Sequence, residues 1–118
     1  MEFNDYQPIY IQIMDYIKFQ IIRGELNPGD KIPSVRDIAL LLKVNPNTVQ
    51  RAYQDLDREG ITYSKRGLGS FVVDDEERII SLKDDKATEI TSNFVSNMKQ
   101  LGVEQGKAID FIKRSWDQ

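Results

Sequence analysis

Apolar residues recur along the first third of the chain with a helical period. After Pro8 they fall at Ile9, Ile13, Tyr16, Ile17 and Ile21, one face of a 3.6-residue repeat. Pro8 suits the first turn of a helix and Gly24 its stop. Tyr10, Met14 and Phe19 widen the stripe, which predicts contact with more than one neighbour. "NPGDKIPS", residues 27–34, is dense in turn formers and predicts a loop. Ser34 then reads as an N-cap with Asp37 three residues on, a start resembling a capping box. Val35, Ile38, Ala39 and Leu42 supply the inward stripe of a helix of roughly two turns. Lys43 and Val44 form a corner. Asn45 is a second N-cap, and Pro46 sits where a missing N–H costs nothing. Val49, Ala52, Tyr53 and Leu56 follow at i, i+3, i+4 and i+7, and Gly60 ends that helix.

Beyond Gly60 the pattern changes. "ITYSK" and "SFVV" are short β-type runs flanking "RGLG", which predicts a hairpin with a glycine-rich tip. From Asp74 to about Asp85 the chain is acidic and polar, and a connector is expected there. Ala87, Ile90, Phe94, Met98 and Leu101 then form a helical stripe closed by Gly102. Ala108, Ile109, Ile112 and Trp116 form another, which together predict an αα-hairpin over 86–101 and 104–117. The expected division is a DNA-binding domain over 1–75 and a short helical dimerisation region over 76–118.

Composition removes several function classes. The chain has no cysteine and no histidine, so disulfides, thiolate sites and zinc fingers are excluded. General-base catalysis loses its usual residue, and no paired-carboxylate motif replaces it. No enzyme, metal site or cofactor is expected. "IYIQIMDYIKFQII" is too polar and too short for a signal core or membrane span, so a cytoplasmic protein with no membrane partner is expected.

The net charge of −3 is unevenly spread. Within 31–66, Lys31, Arg36, Lys43, Arg51, Arg58, Lys65 and Arg66 outnumber Asp37, Asp55, Asp57 and Glu59, whereas the flanking segments are acidic. Salt screens charges beyond roughly 8–10 Å, so a local basic face matters more to a polyanion than the total does.

Helix, short helix, sharp corner, helix and hairpin is the order of a winged helix-turn-helix, whose third helix enters the DNA major groove. Packing accounts for Val49, Ala52, Tyr53 and Leu56 and leaves Asn47, Thr48, Gln50, Arg51 and Gln54 outside. Asn and Gln pair with adenine, Arg with guanine, and Thr with phosphate or a thymine methyl. Free N–H groups in the first turn after Asn45 are expected to add phosphate affinity. Residues 45–51 alone would be equally well explained as capping and a solvated face. The neighbouring helix and hairpin shift the balance to DNA. At the hairpin tip, Lys65 and Arg66 carry charge beside Gly67 and Gly69, which permit close approach to backbone or minor groove; solvent-facing cations on a turn are the plainer account. Arg36, one turn into the second helix, suits a phosphate contact unless it pairs with Asp37. A nucleotide cradle built on G-x-G lacks its strand-to-helix context.

"GDKIPSVRDIALLLKVNPNTVQRAYQDLDREGITYSKRGLGSFV", residues 29–72, closely resembles the DNA-binding domain of GntR-family bacterial transcription regulators. The shared pattern is Pro-Ser-x-Arg-x-(Ile/Leu)-Ala, Val-(Asn/Ser)-x-x-Thr-Val, Glu-Gly-(Ile/Leu) and Gly-x-Gly-x-Phe-Val, and "PIYIQIMDYIKFQIIRGEL" extends it N-terminally. The Asn-Pro-Asn-Thr-Val form and short helical tail look like the YtrA-type subgroup, which lacks a large effector domain and dimerises through a small helical unit. The resemblance implies DNA contacts by Arg36, Asn45, Asn47, Thr48, Arg66 and Gly67. Pro46 and Gln50 stand where relatives often carry Arg, so their contacts do not transfer and a different operator is expected.

The reading is a mainly helical winged helix-turn-helix with a C-terminal two-helix hairpin. It is expected to be a homodimeric repressor on a palindromic double-stranded operator, with the resemblance implying a nearby transporter operon as target. A winged-helix module that binds protein instead of DNA is the alternative, disfavoured by the polar helix mouth. Phe94, Met98, Ile109, Ile112 and Trp116 are expected at the dimer contact. Two helices cannot enclose a ligand, so any small-molecule effector would sit at an interface, and its identity is unknown.

Overall fold

The computed structural model describes residues 2–118. Its first helix, α1 (Ile9–Ile22), buries Ile13, Met14, Ile17 and Ile21, while Ile9 and Phe19 at its margins stay exposed. α2 (Val35–Leu42) starts where expected, with the Ser34 hydroxyl oxygen accepting the Asp37 N–H at 3.0 Å. It stops at Lys43, whose φ of 57° is the one left-handed conformation at a described non-glycine residue. That residue makes the corner from which α3 (Pro46–Arg58) departs. Strands β1 (Thr62–Lys65) and β2 (Gly69–Val72) pair antiparallel, Thr62 opposite Val72 and Lys65 opposite Gly69.

The loop before α2 joins this hairpin. Ile32 N–H donates to the Ser70 carbonyl at 2.9 Å, Val72 N–H donates to the Asp30 carbonyl at 2.8 Å, and Lys31 bridges to Phe71. The core beneath combines Ile13 and Ile17 of α1, Ile38 of α2, Val49 and Leu56 of α3, with Ile61 and Val72. Tyr53 closes it by donating its hydroxyl to the Pro33 carbonyl at 2.6 Å. Burial first, then the Asp37 carboxylate and Tyr16, push the Tyr53 pKa well above the ordinary phenol value. Gln12 is buried despite its polarity. Its amide donates to the Asn4 and Gln7 carbonyls and accepts the Asn4 N–H, which pins the N-terminal segment to α1.

The expected connector at 74–85 is helical from Glu76 onward. α4 runs from Glu76 to Gln100, with Asp75 Oδ1 accepting the Arg78 N–H at 3.2 Å. Of the acidic residues that make the segment look like a linker, Glu76 and Glu77 stand in the first turn, at the positive end of the helix, where they are favourable. Ile79 and Leu82 then pack into the first core, so that compact unit runs through Leu82 rather than ending at residue 75. The second unit, Lys83–Gln118, holds the rest of α4, a turn at Gly102, and α5 (Gln105–Trp116). Not one residue of it is buried.

Candidate nucleic-acid interface

The mouth of α3 is built by Asn45. Its Oδ1 accepts the Asn47 N–H at 2.8 Å, and its carbonyl accepts Thr48 N–H at 3.0 Å and Val49 N–H at 3.2 Å. Pro46 has no N–H. The free backbone donors expected in this turn are therefore all in use, because the cap that starts the helix consumes them. Asn45 keeps its own backbone N–H and its amide N–H₂ without a partner among the described residues, so affinity for phosphate at this mouth has to come from these and from other side chains.

Outward from α3, Asn47, Gln50, Arg51 and Gln54 stand exposed on one face at i, i+3, i+4 and i+7, and Thr48 is half-buried. Arg51 is held in place: its guanidinium carbon lies 3.7 Å from the centroid of the Tyr10 ring on α1. Arg36 is exposed on α2 and forms no ion pair with Asp37 or any other described residue.

At the wing, Leu68 N–H donates to the Lys65 carbonyl at 2.9 Å, and Gly67 turns the chain with φ of 78°. Lys65 does not project from the tip. Its ammonium lies 4.7 Å from the Phe71 ring centroid and 5.5 Å from that of Tyr63, two rings that stack on each other. Arg66 is left as the tip cation. Lys31 lies along the same edge, so close that a Cβ on Gly69 would meet its Cε at 2.9 Å. Sequence marks Lys31 only as one cation of the basic segment and Tyr10 only as part of the apolar stripe; their places at this face depend on contacts between distant segments, and no local pattern announces them.

Charge pairing divides the cations of the first unit. Lys18 pairs with Glu59 at 3.1 Å, Arg58 with Asp55 at 2.6 Å and Arg23 with Glu25 at 2.5 Å. Lys31, Arg36, Lys43, Arg51, Lys65 and Arg66 have no acidic partner among the described residues. Asp57, at the far end of α3, is engaged by hydroxyls, Thr62 Oγ1 donating at 2.5 Å and Ser64 Oγ at 2.6 Å.

Residues 9–72, more than half of the chain, match the family described as bacterial regulatory proteins, GntR family. The chain belongs to the GntR family. It is 44% identical over 112 residues to the HTH-type transcriptional regulator YhcF of Bacillus subtilis, covering 95% of this chain and 93% of YhcF. It is 38% identical over 109 residues to the HTH-type transcriptional repressor YtrA of the same organism, covering 90% and 82%. A solved GntR family transcriptional regulator from Listeria monocytogenes superposes with TM-score 0.88 at 44% identity, covering 95% of this chain and 98% of that one. The AraR DNA-binding domain in complex with operator ORR3 superposes with TM-score 0.57 at 30% identity, over 62% of this chain and 88% of that one. This GntR-family chain is thus a DNA-binding transcription regulator with the winged helix-turn-helix expected from its sequence. Its relatives are regulators and not enzymes. Among the described residues no helix is long and apolar enough to cross a membrane.

The residues expected at a dimer contact all lie in the second unit. Phe94, Met98, Ile109 and Ile112 line one open groove of about 480 Å³. Trp116, 80% exposed, borders an adjoining one with Phe94, Met98 and Ile112.

Proposed function

We propose that the chain is a homodimeric repressor that binds a palindromic operator. The observation that carries the DNA-reading face is the set of exposed, unpaired cations beside the polar face of α3. On this reading Asn47, Thr48, Gln50 and Arg51 meet base edges, and Arg36 meets phosphate. Arg66 and Gly67 bring the wing to the duplex, with Lys31 and Lys65 adding charge behind the tip. Asn45 contributes through the cap, with its free amide available to a phosphate.

Dimerisation is supported by the second unit's lack of any buried residue, since a two-helix unit with Ile90, Leu101, Ile109 and Trp116 exposed gains by covering them. A second copy of the same face is the self-complementary solution, and two-fold symmetry in the protein asks for two-fold symmetry in the site. Repression rests on the likeness to YtrA, a repressor by name. The operator is expected beside the genes the protein controls, a neighbouring transporter operon being the first to test.

The test is fluorescence anisotropy with a labelled duplex from upstream of the protein's own gene against a scrambled duplex, alongside sedimentation of the free chain. Preferential binding of the upstream duplex by a dimer is expected. Equal binding of both duplexes, or a monomer at micromolar concentration, refutes the corresponding half of the proposal.

A further inference from the structure

The Arg51 guanidinium is stacked on a tyrosine from a different helix, and this contact bears on how the recognition face is held. Arg51 lies on the exposed face of α3, beside Gln50 and one turn from Asn47. Tyr10 is half-buried in the first turn of α1. At 3.7 Å from the ring centroid, the guanidinium rests face-on within the range of a cation–π contact. Stacking of this kind uses the flat face of the group and leaves its in-plane N–H donors at the edge, where phosphate or a guanine is met. No carboxylate among the described residues competes for those donors. The Tyr10 hydroxyl likewise makes no hydrogen bond among the described residues.

An arginine on an open helix face normally loses side-chain freedom when it binds. Here part of that ordering is already present before DNA arrives. We propose that Tyr10 is a positioning residue for operator binding, holding Arg51 in a DNA-competent orientation through its ring. The inference rests on the reading of Arg51 as a DNA contact and extends the interface to α1, an element that the docking of α3 alone does not require. The ring is what matters, so phenylalanine should replace tyrosine and an aliphatic side chain should not.

The experiment is a double-mutant cycle on the full chain, Tyr10→Leu and Arg51→Ala singly and together, with Tyr10→Phe as the conservative variant. The probe is a labelled duplex recovered from a random library by selection with the wild-type chain, and unfolding by urea is followed in parallel. Tyr10→Leu is expected to weaken binding about three- to tenfold, the range set by the freedom of one arginine side chain. It should have little further effect when Arg51 is already alanine, and Tyr10→Phe should bind within about twofold of wild type. Equal losses from Tyr10→Leu in both backgrounds overturn the inference, as does a Tyr10→Phe variant as weak as Tyr10→Leu. Wild-type binding by Arg51→Ala removes the reading of Arg51 itself and the inference with it, while leaving the operator-binding function standing.

Discussion

Substituting Gly67 separates two ways in which the wing tip can matter. With φ of 78° the residue sits in the left-handed region, and no heavy atom lies within 4 Å of where a Cβ would stand. Space is therefore available, and the cost of a side chain is conformational. An L-residue in that region costs roughly 1–2 kcal/mol. Removing a glycine from the unfolded chain returns about 0.4–1 kcal/mol. The net for Gly67→Ala is then about 1 kcal/mol, and Gly67→Val, stiff at χ1, lies nearer about 2 kcal/mol. Asparagine visits the left-handed region readily and should cost little. If the turn relaxes in the free chain and must regain this shape for Arg66 to reach the duplex, the strain appears in binding instead of in folding, at tenfold per 1.4 kcal/mol. The assay is urea unfolding followed by circular dichroism, paired with anisotropy titration of Gly67→Val and Gly67→Asn. Valine is expected to weaken binding about tenfold or more and asparagine about threefold or less. If Gly67→Asn binds as poorly as Gly67→Val, backbone strain is not the cause, and the loss comes from a side chain blocking approach to DNA.

Arg36→Ala and Arg66→Ala are each expected to lower the slope of log affinity against log salt by about 0.9, whereas Lys18→Ala, whose ammonium is paired with Glu59, leaves the slope unchanged in a titration across three salt concentrations. A chain cut after Asp75 loses Leu82 from the core and should be about 2–3 kcal/mol less stable to urea than one cut after Leu82, both being monomeric by sedimentation. Because the Tyr53 phenol is held neutral in the folded state, the unfolded chain releases its proton first as pH rises. Wild-type stability should therefore fall above about pH 10 more steeply than that of Tyr53→Phe, which itself costs about 1 kcal/mol at neutral pH, both read by urea midpoints. Asp57→Ala strands the buried Thr62 hydroxyl and should cost about 1–3 kcal/mol on the same measurement.

The elements readable from sequence were those with a strong local signal. Ser34 and Asn45 announced two helix starts, the Val49–Leu56 stripe an inward face, and the glycines of "RGLG" a hairpin tip. A connector is expected over 74–85 where the helix in fact begins at Glu76, because Ile79, Ile80 and Leu82 are too few to set a period and acids that favour a helix start also look like linker. The backbone donors after Asn45 were wrongly expected to be free: the side chain recognised as a cap is the one that, with its own carbonyl, uses them. Lys65 was read as a tip cation, but two aromatic rings on the hairpin face draw its ammonium back. Contacts such as Arg51 on Tyr10 join residues far apart in the chain, and no spacing rule reaches across that distance.

The two hydroxyl bonds to Asp57 tie the last turn of α3 to β1. They make the recognition helix and the wing the two jaws of a caliper whose opening is fixed before DNA is met. A duplex whose grooves do not match that opening must bend or narrow to fit, at a cost that depends on the stiffness of its base steps. On the proposed reading of α3 and the wing, part of the operator's sequence can thus be chosen at base pairs that no side chain touches, by a carboxylate in the last turn of α3.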